Sequence, residues 1–163
     1  MTIVNVRIDS RLIHGQVATM WTNSLKANRI LVANDDVAND SIQKMALKMA
    51  VPSGVALSVL SVDKASQNIV DGKYDKQKLF IIIKNPTDGL RLVENGVDLK
   101  EINFGNMSHK EGNLRITKTV SLNEDDILAI KKLSSLNVNL ISKMVPNDSA
   151  EKVLDLLKKN EGK

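Results

Sequence analysis

Lys78-Leu79-Phe80-Ile81-Ile82-Ile83-Lys84-Asn85-Pro86-Thr87 decides the fold. Successive strand side chains point to opposite faces, so a strand covered on one side alternates apolar and polar residues. Four consecutive apolar residues at 80–83 break that alternation and place the run in the middle of a sheet buried on both faces. Asn85-Pro86 ends the strand, and Thr87 can cap a helix over about residues 88–95, with Gly96 placed to close it.

The same alternation extends both ways. Toward the N-terminus lie a helix at 62–70 stopped by Asp71-Gly72, a strand at 55–60, and the Pro52-Ser53-Gly54 turn. Before that turn a helix starts near Asn39 or Asp40. Its Ile42, Met45, Ala46 and Met49 recur at the spacing of one helical stripe. A strand at 29–33, a helix at 16–24 burying Val17, Met20 and Trp21, and a strand at 3–8 complete this half. Toward the C-terminus come a strand at 101–104, a polar loop at 105–112 and short β segments at 114–116 and 118–121. A helix then runs from an Asn123 cap to about 135, with Asp125 and Asp126 in its first turn opposing the dipole. A strand at 138–142 follows, and Pro146-Asn147-Asp148-Ser149 opens a last helix carrying Ala150, Val153, Leu154 and Leu157. Strand and helix alternating this often predict an α/β fold of three layers, α/β/α. Its core is a doubly wound, mainly parallel sheet of about six to seven strands with right-handed crossovers. No linker or repeat divides residues 1–163, so one domain is expected.

Composition narrows the function. At 42% hydrophobic and 26% charged residues the 163-residue chain can bury a full core, which excludes general disorder. No apolar run approaches the roughly 20 residues of a membrane span, and no secretion signal is read at the start. The absence of cysteine removes disulfides, thiolate nucleophiles and Cys-ligated metals, and suits a reducing cytosol. The net charge of +4 is spread over scattered lysines, with only one Trp, one Tyr and two Phe for base stacking. Nucleic acid is therefore not expected as a partner. His14 and His109 are the only imidazoles.

In doubly wound sheets ligands sit beyond the carboxyl ends of the strands. The loops to read are therefore residues 9–15, 34–36, 61, 84–86 and 105–110. The first is the richest: Arg7-Ile8-Asp9-Ser10-Arg11-Leu12-Ile13-His14-Gly15-Gln16 gathers two guanidinium groups, a carboxylate and an imidazole at the start of a helix. Unpaired amides at a helix N-terminus suit an anion, here the backbone of Gly15 and Gln16. Arg11 adds a planar fork matched to phosphate oxygens, and Gly15 lets backbone approach a ligand. An imidazole of ordinary pKa, about 6.5, is largely neutral in the cytosol and is a nucleophile toward phosphorus. Asp9 is placed to orient the ring or to hold Arg11. On residues alone, an ordinary surface histidine beside salt bridges reads the stretch equally well.

Other motifs are missing: no G-x-x-x-x-G-K-[ST], no G-x-G-x-x-G after the first strand, no G-x-S-x-G and no H-E-x-x-H. Two isolated histidines make a poor zinc site, and neither metal nor cofactor is expected. Asp35-Asp36 is read as supporting the Arg11 loop in preference to holding Mg²⁺. His109, in Gly105-Asn106-Met107-Ser108-His109-Lys110, is read as an exposed loop residue whose loss has a modest effect at most.

The stretch Arg7-Ile8-Asp9-Ser10-Arg11-Leu12-Ile13-His14-Gly15-Gln16-Val17 resembles the active-site signature of the IIB subunits of the mannose/fructose/sorbose family of the bacterial phosphoenolpyruvate-dependent sugar phosphotransferase system. The likeness continues through Asn34-Asp35-Asp36-Val37-Ala38-Asn39-Asp40, Pro52-Ser53-Gly54 and Ile102-Asn103-Phe104-Gly105-Asn106-Met107, and so covers essentially the whole chain. It implies a phosphotransferase in which His14 takes a phosphoryl group on Nδ1 from phosphohistidine of a IIA partner. His14 then passes it to a sugar held by the membrane IIC and IID subunits, at the inner face of the membrane. Arg11 would neutralise the phosphoryl oxygens, and Asp9 would match an acidic position of the loop. Where the family usually has a second acidic residue this chain has Ser10, which makes the loop less negative. Neither the sugar nor any self-association of the chain is readable at this level. From the residues alone, a non-enzymatic anion- or nucleotide-binding module and a hydrolase using His14 transiently remain alternatives.

Overall fold

The structure, a computed structural model, describes residues 2–162. Its centre is the strand that the apolar run predicted, β4 (Lys78–Ile83), buried from Leu79 onward. Leu79, Ile81 and Ile83 enter one hydrophobic cluster, while Phe80 and Ile82 enter the other on the opposite face. β4 lies between β1 (Thr2–Asp9) and β2 (Arg29–Ala33), with β3 (Ala56–Leu60) beyond β2. On the far side of β1 come β5 (Glu101–Asn106), β8 (Asn139–Ser142) and a two-residue β9 (Glu151–Lys152). The seven strands run in the order β3-β2-β4-β1-β5-β8-β9, all pairings parallel except β8 with β9. A separate antiparallel pair, β6 (Leu114–Arg115) and β7 (Ser121–Leu122), follows β5.

Helices α1 (Gly15–Leu25), α2 (Asp35–Ala38) and α3 (Ser41–Ala50) pack on the Phe80 face. Helices α4 (Val62–Val70), α5 (Pro86–Glu94), α6 (Glu124–Ser135) and α7 (Val153–Glu161) pack on the Ile81 face. This is the three-layer, doubly wound α/β arrangement expected, with seven strands in the main sheet. β1 sends its chain toward β2, whereas its neighbour β5 sends its chain toward β8. The carboxyl edge therefore opens between the loops that follow β1 and β5, the switch point at which such sheets bind ligands.

Three local readings are corrected. Asn85, not Thr87, caps α5: its side chain accepts from the Asp88 N–H, and Pro86 takes the first helical position, where a missing N–H costs nothing. The last helix starts at Val153, after β9, and not at Pro146; Val153 and Leu157 are buried as expected, while Ala150 is exposed. On α1 the buried residues are Ala18, Trp21 and Thr22; Met20 faces solvent.

The largest departure is α3. The helix and its Asp40 cap are as expected, with Asp40 Oδ1 accepting from Ile42 and Gln43. Its apolar stripe, however, faces outward: Ile42 is 80%, Met45 65% and Met49 83% exposed, and Leu47 is the buried residue. α3 lies beside the edge strand β3, and a cleft of about 340 Å³ separates Met45 from Leu57 and Val59. At the edge of a sheet too little surface remains to cover a full stripe.

Asn34 Nδ2 donates to Asp88 Oδ2 at 3.0 Å, tying the exit of β2 to the first turn of α5. Burial pushes the Asp88 carboxyl above its ordinary value, against the opposing influence of Asn34 and Arg91. In the unfolded chain Asp88 ionises near about pH 3.9. Between that pH and its raised native value the folded state holds the extra proton, so the contribution of Asp88 to stability falls as pH rises through the window. Asp88→Asn keeps an acceptor for Asn34 and is expected to flatten this slope in urea titrations on the acid side of neutrality. An unchanged slope would refute the assignment.

Candidate functional site

The site grows from the end of β1. Arg7 is 3% exposed, and Asp9, two residues on and on the same face of the strand, is 2% exposed. A buried carboxylate demands partners, and Asp9 has three contacts. Its Oδ1 accepts the Arg11 backbone N–H at 2.9 Å and meets Arg11 Nε at 3.4 Å, while Oδ2 lies 3.7 Å from Arg7 Nη2. Among the described residues the side chain of Asp9 thus contacts both Arg7 and Arg11. The Arg7 guanidinium sits over the Trp21 ring at 5.3 Å and donates through Nη1 to the Lys143 carbonyl at 3.2 Å. Burial lowers its pKa, with Asp9 opposing that effect. Trp21 Nε1 donates to the Met144 carbonyl at 3.0 Å, so α1 and the segment after β8 close over Arg7 together.

Gly105 makes room for this arrangement. It lies on β5 beside the guanidinium, where a Cβ would overlap Arg7 Cζ far inside van der Waals contact distance. Arg7 lies in the strand read at 3–8, and the structure seats its side chain beneath the loop. The signal for its buried seat was a lone arginine in a strand otherwise continuing toward the core, four residues from a second arginine and with a carboxylate between them.

Residues 10–14 then turn outward. The Ser10 N–H donates to the Asn106 carbonyl and its Oγ to Asn106 Oδ1, while Ser10 and Ser108 hydroxyls lie 3.0 Å apart. The loops after β1 and β5 are thus stitched together at the switch point. Leu12 and Ile13 are each 5% exposed and anchor the loop in the Trp21 cluster, with Leu12 held at φ +61°. His14 is exposed and caps α1 with extended backbone (φ −142°, ψ 117°) and no hydrogen bond from its side chain. Gly15 follows at φ +52°, with nothing within 4 Å of where a Cβ would project. That conformation is strained for any other residue. The α1 amides begin directly behind the imidazole, and the Arg11 side chain is 40% exposed.

Asp35 does not support this loop. It accepts the Val62 N–H at 3.0 Å and pairs with Arg91 at 2.8 Å, joining α2 to α4 and α5, and these bonds hold its pKa below the usual carboxylate range. Among the described residues no group of three or more His, Asp or Glu is placed to hold a metal ion. His109 is exposed on the loop after β5, with Nδ1 2.8 Å from Ser121 Oγ. No helix among the described residues is long and apolar enough to cross a membrane.

Residues 3–163 match the family model of the PTS system sorbose subfamily IIB component. The chain is 39% identical over 155 residues to the sorbose-specific EIIB component of Klebsiella pneumoniae, covering 95% of this chain and 94% of that one. It is 40% identical over 159 residues to the mannose-specific EIIAB component of Escherichia coli K12, covering 98% of this chain and 49% of that longer protein. The crystal structure of the IIBSor domain of the sorbose permease from Klebsiella pneumoniae superposes with a TM-score of 0.93 at 38% identity, covering 98% of each chain. The chain belongs to the sorbose subfamily of the IIB components, the sugar-specific phosphotransferase-system proteins of the sorbose and mannose type.

Proposed function

We propose that His14 is a phosphoryl relay between phosphohistidine of a IIA partner and a sugar presented by membrane IIC and IID subunits. The observation that carries this reading is an exposed imidazole at the head of α1 whose side chain makes no hydrogen bond among the described residues, three residues from an arginine held by a buried carboxylate. The neutral ring attacks phosphorus through the Nδ1 lone pair. The P–N bond to the donor imidazole breaks, and its electron pair returns to that ring. In the second transfer a sugar hydroxyl oxygen attacks, the P–N bond to His14 breaks, and the hydroxyl proton ends on the released imidazole. Such transfer depends on positioning and charge stabilisation. Arg11 and the amides of Gly15 and Gln16 supply both, a preorganised cradle for the equatorial oxygens. The name of the mannose EIIAB relative joins a IIA and a IIB in one protein, which supports IIA as the donor. The reading puts the chain in the cytoplasm, at the membrane face where IIC and IID lie.

Incubation with phosphoenolpyruvate, the general carrier proteins and a cognate IIA is expected to leave acid-labile, alkali-stable phosphate on His14. No label would favour an anion-binding module, and label lost rapidly to water would favour a hydrolase. Arg11→Ala is expected to slow transfer by about 10²–10³, the usual loss for one preorganised donor; rapid-quench kinetics at a normal rate would remove Arg11 from the cradle.

A further inference from the structure

Beside the relay loop, on the side toward α5 and α6, the carboxyl edge of the sheet holds a cleft of about 370 Å³. Its walls come from four separate segments: Ser10 and Arg11 after β1, Lys84 and Asn85 after β4, the loop from Met107 to Asn113, and the run from Ser121 on β7 into the start of α6. Two features set its chemistry. Lys84, half-buried, and Lys110 both line the cleft, and neither side chain makes an ion pair or hydrogen bond among the described residues, the Lys110 charge acting on the Asp126 carboxyl from a distance. Two of the three asparagines there turn their side-chain oxygens to helix caps: Asn85 Oδ1 takes the Asp88 N–H and Asn123 Oδ1 takes the Asp126 N–H. What each amide has left is an NH₂ donor. The single carboxylate in the wall, Asp126, is buried and returns a hydrogen bond to the Asn123 N–H, closing a capping box. Three cations against one capped carboxylate, together with these amide donors, leave the cleft with an excess of positive charge, and Ser10 and Ser108 add hydroxyls at the rim.

The geometry points to a binding site for a phosphate monoester with a hydroxylated body, in chemical terms a sugar phosphate, held through its phosphate by Lys84, Lys110 and Arg11. Cationic side chains in a cleft form their strongest hydrogen bonds to such oxyanions. The volume lies within the roughly 300–1,000 Å³ of small-molecule sites and leaves space beyond a phosphate alone. The choice of a sugar as the body rests on the phosphotransferase reading, since that reaction yields a sugar phosphate; the cationic cleft itself does not depend on it.

The test titrates the ¹⁵N-labelled, unphosphorylated chain with a hexose 6-phosphate, inorganic phosphate and the uncharged hexose, following amide shifts. Saturable shifts at Lys84, Asn85, Ser108, Lys110 and Asn113 are expected with the ester, weaker ones with inorganic phosphate, and none with the hexose. The double variant Lys84→Gln/Lys110→Gln, whose fold the same spectra report, is expected to weaken the ester about tenfold or more. Absence of saturable shifts, or an unchanged affinity in the double variant, overturns the site. Equal affinity for inorganic phosphate overturns the hydroxylated body. His14→Ala is expected to bind the ester as the parent does. Failure of His14 to become phosphorylated therefore leaves the cleft standing, whereas lost ester binding in His14→Ala moves the anion to the imidazole and overturns it.

Discussion

His14→Ala is expected to reduce phosphate incorporation from a IIA donor to background while the protein unfolds at the same temperature as the parent, within about 2 °C. The two halves of that outcome have separate causes. Chemically, no other imidazole stands at a helix head beside Arg11: His109 lies on a different loop with Nδ1 engaged by Ser121. Structurally, His14 is exposed and its side chain makes no capping bond, so alanine removes no contact from the folded state. Surface changes of that kind stay within about 0.5 kcal/mol, which for a chain of this size moves the midpoint by no more than about 2 °C. His109→Ala in parallel is expected to retain full labelling. Label persisting in His14→Ala, with mass spectrometry placing it on His109, would transfer the relay to the other loop.

Gly105→Ala is expected to cost about 3–5 kcal/mol of stability, although it adds a single methyl group at a distance from the imidazole. The added carbon would occupy the place of the Arg7 guanidinium. That group has no room to yield, lying between the Trp21 ring, the Lys143 carbonyl and Asp9. Its displacement leaves the Asp9 carboxylate buried with Arg11 alone, and breaking one side of a buried ion pair carries a penalty of that order. The loss should reappear as slower phosphoryl transfer, because Asp9 is what holds Arg11. Arg7→Ala on its own is also expected to destabilise the chain, yet the double variant should fall well short of the sum, since removing the guanidinium vacates the space the methyl needs. Denaturant midpoints for the four proteins measure this. A Gly105→Ala chain within about 1 kcal/mol of the parent would mean that Arg7 has another berth.

What the sequence carried and what it did not follow from the range of the interactions. The continuous run at 80–83 fixed a two-sided central strand because burial on both faces is written into consecutive residues. The stretch from Arg7 to Gln16 was equally legible, since its arginines, aspartate, histidine and glycine lie within ten positions. The α3 stripe misled for the converse reason. Periodicity reports that a helix has an apolar side, but which neighbour covers it depends on strand order, and β3 proved to be the edge. Met20 was misplaced by one step of helical phase, because Trp21 turns inward to meet the Met144 carbonyl from 123 residues away. Gly105 was quoted without a role, for its purpose exists only when β5 lies beside β1. Asp35 was assigned to the wrong arginine, as the one it meets, Arg91, belongs to another helix.

The pair Leu12 and Ile13 has one more effect. Most exposed reactive groups ride on segments that must be frozen at each encounter, and every freezing subtracts from affinity. Here two side chains moored in the Trp21 cluster hold the tip from below. Partners of the relay proposed above would therefore meet a tip already anchored, with no ordering of it to set against the contacts their own surfaces make.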